Sequence, residues 1–476
     1  MSVAINFILN SRELAVTLSP SLSVLDFVRT IECHVGTKGG CKAGDCGACM
    51  VLIGELDGKK IRYRPMPSCL VPIGELHGKH LVTIEGLNME ALSPVQQAIV
   101  DEGASQCGFC TPGIVVSITC ILLDDSKKID EDGIKYALGG HLCRCTGYRS
   151  LKNCAKFLAE WNRSELHSGN RITSLIATGA IPQYFSTIAA RLQKIDAKIP
   201  MSTQDSNHDQ VAGDTDLFVS RPEKTLGAGF LLLNNRSGMR DISEKEDTIH
   251  VGALTTFEAF ADHSLIRKII PEIGAYMSRI ASWQVRNRAT LGGNIVNASP
   301  VADLTILLLA LNAQLELQIE SSTRTLALNK FFQGYKELDK SPSEILTGIL
   351  IPKPGPREKI RFEKISKRKC MDIATVNSGL VVEVKGGVIQ KTRLSMGGVA
   401  PIPLFLQRTS DYLTGKMLSV PTILDAIEIC QTEISPITDI RGSAAYKRLM
   451  ARRLIIAHFT RSYPQILKVA DFYETR

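Results

Sequence analysis

Residues 41–49 read Cys41-Lys42-Ala43-Gly44-Asp45-Cys46-Gly47-Ala48-Cys49, and a fourth cysteine, Cys69, follows with nineteen residues between it and Cys49. Three thiols therefore share one short loop, while the fourth thiol comes from a separate segment. The loop and the residues before it are rich in small side chains, which let backbone amides turn inward and donate to bound sulfur. These small residues are Gly39, Gly40, Gly44, Gly47 and Ala48.

A C-x4-C-x2-C loop with one distant cysteine has the spacing of a plant-type 2Fe-2S site. A zinc site usually draws its ligands as two matched pairs, and a set of structural thiols needs no such loop. The three-plus-one split argues against both alternatives. The sequence therefore predicts an iron-sulfur cluster whose ligands are Cys41, Cys46, Cys49 and Cys69.

A second set of cysteines lies in two segments, Gln106-Cys107-Gly108-Phe109-Cys110-Thr111-Pro112-Gly113 and His141-Leu142-Cys143-Arg144-Cys145-Thr146-Gly147-Tyr148-Arg149. Their spacing, C-x2-C followed by C-x-C, is also compatible with zinc. Each pair precedes a predicted helix start, where free amides and the positive end of the helix dipole would face a negatively charged cluster. This placement favours a second 2Fe-2S cluster held by Cys107, Cys110, Cys143 and Cys145.

Eleven of the thirteen cysteines lie between Cys33 and Cys154. Clustered thiols in a chain of cytosolic character point to metal or redox chemistry, because reducing compartments disfavour disulfides. The five cysteines outside the two sets have no partner at ligand spacing, so we assign them no function and expect burial as small hydrophobic side chains. They are Cys33, Cys120, Cys154, Cys370 and Cys430.

Periodicity divides the chain into several domains of mixed helix and strand, which is a multidomain α+β class. Residues 4–9 and 14–18 alternate as a β-hairpin with a turn over 10–13. The helix and cysteine loop that follow complete the order of a β-grasp, ferredoxin-like domain. Five segments are expected: the ferredoxin-like domain at 1–90, an all-helical cysteine-binding domain at 91–165, a polar linker at 166–205, an α+β domain at 206–370 and a small α+β C-terminal domain at 371–476. The linker can include some helix.

The helices of the second domain have readable ends. Ser93-Pro94 and Thr111-Pro112 are start signals, because proline is favoured in the first helical turn. A third helix is expected to end at Gly139-Gly140, and a fourth to run from Thr146 toward Trp161.

Composition and charge exclude several classes of protein. With 44% hydrophobic and 22% charged residues, the chain falls in the range of soluble globular proteins. The apolar stretches at 113–123 and 305–311 are shorter than the ~18 residues of a membrane span and are predicted to be buried helices. The first residues show no signal-peptide pattern, so a cytoplasmic location is expected. The net charge of +8 comes from interleaved basic and acidic residues, so neither nucleic acid nor a membrane is an expected partner.

The two cysteine sets, in this order, resemble the iron-sulfur part of the xanthine dehydrogenase and aldehyde oxidase family of molybdenum hydroxylases. The resemblance implies that the cluster of the helical domain lies near molybdenum and that the ferredoxin-like cluster lies near a flavin. In that family the glutamine before the first helical-domain cysteine contacts the molybdopterin cofactor. This implies the same role for Gln106, against a partner chain.

Two further segments read, by themselves, as glycine-containing turns whose amides could reach a pyrophosphate. They are Val211-Ala212-Gly213-Asp214-Thr215-Asp216-Leu217 and Thr290-Leu291-Gly292-Gly293-Asn294-Ile295-Val296-Asn297-Ala298-Ser299-Pro300. No G-x-G-x-x-G follows a strand, and Gly227-Ala228-Gly229 continues into Phe230, so a Rossmann site is not supported. The order and content of the two segments resemble the non-Rossmann α+β FAD-binding domain of the same family.

Single positions extend this resemblance toward the C-terminus. The implied flavin contacts are Asp303, Leu346 and Lys364. Tyr335 aligns with a tyrosine that lines the NAD site, and residues 439–447 resemble a segment near the end of the flavoprotein module. Ile280 occupies a flavin-contacting position that is aromatic in animal xanthine dehydrogenases, and the loop 367–374 differs from theirs in length and charge.

The resemblance is to the small, iron-sulfur and FAD, subunit of bacterial xanthine dehydrogenases. It implies that electrons from hypoxanthine or xanthine, oxidised to urate at a molybdenum centre, pass through the helical-domain cluster, the ferredoxin-like cluster and FAD to NAD. Clusters carry single electrons, a flavin carries one or two, and nicotinamide accepts a hydride. Nothing after the flavin module is long enough for a molybdenum domain, so we expect a large molybdopterin-binding subunit, in a heterotetramer with two of each subunit. No catalytic residue for hydroxylation is expected in this chain.

Three alternatives remain open at this point. The same architecture serves molybdenum hydroxylases for aldehydes, nicotinate or other N-heterocycles, or ones that pass electrons to oxygen. A zinc-stabilised interaction protein without redox activity would use the same cysteines differently. A freestanding NADH-dependent electron-transfer module would lack a hydroxylase partner.

Overall fold

A computed structural model of the chain describes residues 2–165, 170–196, 209–221, 230–233, 236 and 238–473. The chain divides into two compact units. The first unit comprises Met1–Asn235 and Ser282–Arg288, and the second comprises Arg236–Ala281 and Ala289–Arg476. Helices and sheets occur in both units, which confirms the multidomain α+β class.

The first unit begins with a five-stranded sheet and continues with helices. Its strands are β1 (Val3–Leu9), β2 (Arg12–Leu18), β3 (Met50–Asp57), β4 (Lys60–Pro67), β5 (His80–Val82), β6 (Asp209–Val211) and β7 (Phe230–Leu232). Its helices are α1 (Val24–Asp26), α2 (Pro94–Asp101), α3 (Thr111–Leu123), α4 (Glu131–Leu138), α5 (Arg149–Glu165), α6 (Arg171–Ala177), α7 (Phe185–Leu192) and α8 (Leu217–Ser220). The unit also contains a π-helical turn at Phe27–Ile31, short 3-10 turns at Ser68–Leu70, Ile73–Leu76 and Ile84–Leu87, and a single-turn helix at Trp283–Arg286.

The N-terminal sheet has the order β2-β1-β5-β3-β4, in which β1 pairs parallel to β5 and the other neighbours are antiparallel. This is the topology of a β-grasp fold, as predicted. The first hairpin turn is shorter than expected: the strands continue to Leu9 and from Arg12, and Asn10 takes a positive φ of 53°. Asparagine tolerates this left-handed conformation, so two residues suffice for the turn.

The helices after residue 91 follow the predicted start signals closely, with one exception. Ser93 caps α2 through a capping box, and α3 begins at Thr111 with Cys110 as its N-cap residue. The fourth helix predicted for this domain, α5, begins at Arg149 rather than at Thr146, because Gly147 and Tyr148 have positive φ values of 57° and 63°. A right-handed helix cannot include residues in this conformation. The predicted start was therefore wrong by three residues.

The segment predicted as a polar linker contains two helices in its described part. In α6, Leu175 is fully buried, and in α7, Phe185, Ile188 and Leu192 lie on one buried face. Phe185 packs against the rings of Tyr63 and His80 in the first sheet. The apolar residues recur at helical spacing, and this signal outweighs the polar composition on which the linker prediction rested.

The second unit contains three sheets. Its strands are β8 (Ile242–Glu244), β9 (Thr248–Gly252), β10 (Gln314–Ile319), β11 (Ser322–Ala327), β12 (Phe332–Gly334), β13 (Glu337–Leu338), β14 (Ile345–Pro352), β15 (Lys359–Ile365), β16 (Val376–Lys385), β17 (Val388–Gly397) and β18 (Leu404–Phe405). Its helices are α9 (Phe257–Asp262), α10 (Ser264–Ile269), α11 (Ile273–Met277), α12 (Leu291–Val296), α13 (Asp303–Ala310), α14 (Leu328–Phe331), α15 (Gln407–Leu413), α16 (Val420–Glu433) and α17 (Ala444–Ser462).

Two of these sheets organise the cores of the second unit. The antiparallel orders are β11-β10-β14-β9-β8 and β15-β16-β17-β18. Helices α16 and α17 bury their apolar faces against the second of these sheets, together with Leu394 and Met396 of β17. The apolar stretches predicted to be buried helices are α3 and α13, and both are buried. In the part of the chain that the structure describes, no helix is both long and apolar enough to cross a membrane.

The β-grasp core depends on an aromatic pair. Phe7 is 0% exposed and its ring meets that of Phe27 edge-on, with centroids 5.7 Å apart. We expect Phe7→Ala to lower the free energy of unfolding by about 3–5 kcal/mol, because it removes this packing and leaves a cavity. Thermal unfolding followed by circular dichroism would measure the loss. Ile31→Ala, at a position that is 48% exposed, is the control and should unfold near the wild-type temperature. Equal midpoints for the two variants would contradict the prediction.

Candidate functional site

The first predicted cysteine set forms two close pairs. Cys49 and Cys69 are buried, with their sulfur atoms 3.4 Å apart. Cys41, which is exposed, and Cys46 form the other pair, through a hydrogen bond between their thiols. The loop brings Cys41, Cys46 and Cys49 together because Lys42, Gly44 and Gly47 have positive φ values of 54°, 75° and 73°.

Backbone amides of this loop point at the sulfur atoms, as the sequence predicts. The amides of Ala43 and Asp45 both donate to Cys41 Sγ at 3.3 Å, and the amide of Cys41 donates to Cys46 Sγ at 3.4 Å. The hydrogen bond from Cys46 and these amides lower the pKa of Cys41 to about 5. Such donors favour the thiolate, which is the form that binds metals.

The second cysteine set also lies in two pairs. The thiol of Cys107 forms a hydrogen bond with that of Cys145, and the thiol of Cys110 forms one with that of Cys143. Burial raises the pKa of Cys110 to about 11. Thr146 Oγ1 lies 3.1 Å from Cys143 Sγ. Each cysteine pair was predicted to lie directly before a helix start, and this holds for one pair only. Cys110 is the N-cap residue of α3, whereas α5 begins four residues after Cys145.

The eight cysteines are thus arranged as four pairs. In the described ranges, no group of three or more histidine, cysteine, aspartate or glutamate side chains is placed to hold a metal ion. A 2Fe-2S cluster has two irons, each with two protein ligands, so thiols arranged in pairs match its ligand requirement. Of the five remaining cysteines, Cys120, Cys154 and Cys430 are buried as predicted, but Cys33 and Cys370 are exposed.

The two cysteine loops touch each other inside the first unit. The amide of Leu142 donates to the carbonyl of Cys46 at 3.0 Å, and Lys38 Nζ donates to the carbonyl of Gly108 at 2.7 Å. A Cβ atom on Gly47 would collide with Nδ1 of the buried His141, so only glycine fits at this position. Gln106, predicted to face a partner's cofactor, is exposed and donates to the carbonyl of Cys145 at 3.3 Å.

The first of the two segments predicted to bind a flavin lies beside the ferredoxin-like cysteines. After β6 the chain turns at Gly213 and Asp214, where Asp214 has a positive φ of 59°, and enters α8 at Leu217. Val211, Phe218 and the partly buried Leu217 share an apolar cluster with Cys49 and Cys69. The flavin segment and one cysteine pair therefore have a common core. Gly227-Ala228-Gly229 lies outside the described residues.

The turn of this segment is held by a buried arginine that the sequence analysis missed. Arg288 Nε donates to the carbonyl of Gly213 at 3.1 Å, and its Nη atoms donate to Glu75 at 2.9 and 3.0 Å and to Asp214 at 3.2 Å. All three ionisable side chains are almost fully inaccessible to solvent. Charged side chains are usually exposed, and nothing in the sequence around Arg288 or Glu75 indicates that these two are buried, which is why both escaped notice.

The second flavin segment lies in the second unit. Thr290 caps α12 by accepting a hydrogen bond from the amide of Gly293 at 3.1 Å. Asn294 accepts two hydrogen bonds from Thr305, which tie α12 to α13. At Gly292, a Cβ atom would meet the backbone of Ala253 at 2.8 Å, so the glycine permits close packing here.

Asp303 and Lys364, both predicted as flavin contacts, form a buried ion pair. Lys364 Nζ lies 2.6 Å from Asp303 Oδ2, and Asn377 Nδ2 donates to Asp303 Oδ1 at 2.6 Å. Burial raises the pKa of Asp303 even though Lys364 opposes the shift. Asn377 is fully buried and was not identified from the sequence.

The other predicted flavin and NAD positions differ in exposure. Ile280 and Leu346 are each 4% exposed, whereas Tyr335 is 64% exposed. The loop 367–374 lines a small cavity of about 220 Å³ together with Ile440 and Arg441. The role of Tyr335 at an NAD site stays a prediction.

Comparison with known domains gives three matches along the chain. Residues 83–156 match a 2Fe-2S binding domain, residues 186–354 match the FAD binding domain in molybdopterin dehydrogenase, and residues 361–461 match the CO dehydrogenase flavoprotein C-terminal domain. The chain belongs to the molybdenum hydroxylase family. It is an iron-sulfur and FAD electron-transfer component of that family.

Several xanthine dehydrogenases are related to this molybdenum hydroxylase component. The enzyme of Emericella nidulans is 26% identical over 88% of this chain, and that of Oryza sativa is 28% identical over 83%. The xanthine dehydrogenase/oxidase of Gallus gallus is 28% identical over 95% of the chain. The chain spans 36%, 35% and 39% of the lengths of these relatives.

Two solved structures of the family resemble part of this chain. A chain of CO dehydrogenase from Oligotropha carboxidovorans is 26% identical, with a TM-score of 0.50, over 52% of this chain and 87% of its own length. A chain of quinoline 2-oxidoreductase from Pseudomonas putida is 25% identical, with a TM-score of 0.50, over 54% and 91% respectively. The relatives therefore include enzymes named for three different substrates.

The contact between the two cysteine loops leads to a specific prediction. We expect Gly47→Ala to lose one or both clusters, because its Cβ would strike His141 and the residue must keep a φ of 73°. Iron analysis and electron paramagnetic resonance of the reduced protein would measure the loss. Gly58→Ala is the matched control, since Gly58 also has a positive φ but has no atom within 4 Å of the added Cβ. Full iron content in Gly47→Ala would contradict this account.

Proposed function

We propose that this chain is the electron-transfer subunit of a xanthine dehydrogenase, and that it carries electrons from a molybdenum centre on a large molybdopterin-binding subunit to NAD. Hypoxanthine and xanthine would be oxidised to urate at the partner. The observation that carries the proposal is the arrangement of eight cysteines as four thiol pairs, in two adjoining loops, beside a flavin-type segment.

In this proposal, Cys41 and Cys46 hold one iron of the ferredoxin-like cluster, and Cys49 and Cys69 hold the other. The second cluster is held in the same way by the pairs Cys107/Cys145 and Cys110/Cys143. The amides that donate to the thiol sulfurs stabilise the negative charge of the thiolates. When bound, the clusters supply one-electron transfer, and the flavin joins it to two-electron transfer.

The flavin assignment rests on residues of both units, each taken by itself. In the first unit we assign to FAD the backbone of Val211, Ala212, Gly213, Asp214, Thr215, Asp216 and Leu217. In the second unit we assign Ile280, Thr290, Leu291, Gly292, Gly293, Asn294, Asp303, Leu346 and Lys364, with Tyr335 at the NAD position. The buried Asp303–Lys364 pair offers a carboxylate and an ammonium whose orientations are held by Asn377 and the carbonyl of Arg279. Such preset groups suit the polar edge of a flavin.

The domain roles follow from the same assignment. Residues 1–90 and 91–165 would each hold one cluster, residues 206–370 would bind FAD, and residues 371–476 would complete the flavoprotein module. The exposed Gln106, next to Cys107 and Cys145, would face the molybdenum cofactor of the partner. Two copies of each subunit would form the assembly.

A second candidate function is supported by the structural relatives. A chain of CO dehydrogenase and a chain of quinoline 2-oxidoreductase each match this chain with a TM-score of 0.50. Because quinoline is an N-heterocycle, another N-heterocycle is the alternative substrate class. The substrate would be selected in the molybdenum subunit in either case. Copurification of a molybdenum protein, and its rate with xanthine against quinoline, would distinguish the two.

The ligand assignment predicts the metal content of the chain. Purified wild-type protein should contain about four iron atoms per FAD, and Cys143→Ser should retain about two. Only one of two paramagnetic signals should disappear in the variant, because the ferredoxin-like set is intact. Cys430→Ser, at a buried cysteine outside both sets, is the control and should retain all iron. Zinc in place of iron and flavin would support the interaction-protein alternative.

The acceptor assignment predicts reversed electron flow in the isolated chain. Anaerobic NADH should bleach the visible absorption of the flavin and clusters at a rate that stopped-flow spectroscopy measures, since hydride transfer to FAD is reversible. Tyr335→Ala should slow this bleaching by roughly tenfold if its exposed ring lines the nicotinamide site. Dithionite, which needs no nucleotide site, should reduce both proteins equally. If NADH causes no bleaching while dithionite reduces the protein normally, NAD is not the acceptor.

A further inference from the structure

Three ionisable side chains of the first unit meet in a site from which water is excluded. The exposed fractions of the side chains of Arg288, Glu75 and Asp214 are 3%, 6% and 0%. Glu75 follows β4 in the ferredoxin-like domain, and Asp214 lies in the flavin segment. A bidentate arginine–carboxylate pair is directional, so it holds the positions of its partners as well as balancing their charge.

Arg288 also contacts the backbone of the proposed flavin segment, so its fixed orientation restrains that backbone. Arg288 Nε donates to the carbonyl of Gly213 at 3.1 Å while its Nη atoms bind both carboxyl groups. Asp214 adopts a left-handed φ of 59°, which costs free energy in a residue other than glycine. The hydrogen bonds of Arg288 stabilise this turn.

Arg288 contacts both buried carboxyl groups, and the pKa values of these two groups shift in opposite directions. Burial would raise the pKa of Glu75, but the charge and hydrogen bonds of Arg288 outweigh it and lower the pKa. Burial and the neighbouring Glu75 together raise the pKa of Asp214 well above its usual range. The two opposite shifts favour the negative charge on Glu75 over Asp214. The carboxyl group of Asp214 also forms a hydrogen bond with that of Glu75.

We propose that Glu75 and Arg288 are positioning residues for FAD: they hold the Gly213–Asp214 turn in the shape that the cofactor meets. The inference rests on the proposed role of residues 211–217 in FAD binding. Glu75 belongs to the domain that supplies Cys69, so the same anchor ties the flavin turn to the ferredoxin-like cysteines.

The test is the FAD affinity of the full chain with both clusters in place. Protein stripped of FAD would be titrated with FAD while flavin fluorescence is followed. Glu75→Gln keeps the size of the side chain, and Arg288 retains Asp214 as a partner, so the chain should fold. The charged bidentate pair that orients Arg288 is lost, so the turn is held less firmly and we expect the Kd for FAD to rise about tenfold or more. Both cluster signals should remain.

The control is Glu13→Gln, in a strand of the same ferredoxin-like domain. Glu13 pairs with Arg191, but its side chain is 59% exposed, so FAD affinity should not change. A wild-type Kd in folded Glu75→Gln with both clusters would overturn the inference. If the stripped wild-type chain takes up no FAD at all, the proposed flavin function fails, and that outcome is separate from an unchanged affinity in the variant.

A second measurement uses only the wild-type chain, and it tests the inference even if Glu75→Gln does not fold. Hydrogen exchange of the FAD-free wild-type chain would report on residues 211–217. A turn held by Arg288 before the cofactor arrives should exchange at least about a hundredfold more slowly than a free chain. Exchange at the free-chain rate would overturn the inference.

Discussion

The amide of Leu142 donates to the carbonyl of Cys46 at 3.0 Å, and this hydrogen bond holds one cysteine loop against the other. Its formation requires a very close approach of the two backbones, which Gly47 and Gly113 permit. A Cβ atom on Gly113 would strike the carbonyl of Gly47, and one on Gly47 would strike His141. Two redox centres exchange electrons only when they are near, so this local packing is the constraint on which the electron-transfer function depends.

The buried charges of the first unit show the same dependence on geometry. A buried ion pair is seldom a source of net stability, because removing both charges from water costs about as much as their attraction returns. The presence of Arg288 with Glu75 and Asp214 is better explained by the orientation it imposes on the Gly213 carbonyl. In the second unit, Asp303 and Lys364 form a comparable buried pair, whose carboxylate is also held by Asn377.

Much of the local structure could be predicted because its signals are short in sequence. The hairpin, the capping box at Ser93 and the left-handed glycines of the first cysteine loop each depend on residues within a few positions of one another. The start of α5 was misplaced because the positive φ of Tyr148 has no sequence signal. Helices α6 and α7 were not placed, although helical structure was allowed in their segment, because its polar composition was given more weight than the helical spacing of its apolar residues.

The sequence by itself determined the cysteine sets, the order of the domains and the resemblance to a molybdenum hydroxylase, because ligand spacing within a loop is a local property. Only the tertiary structure decided how the thiols pair, since Cys69 reaches Cys49 and Cys143 reaches Cys110 through long-range packing. It also decided that Arg288 is buried. Burial depends on every element around a side chain, and no spacing along the chain encodes it.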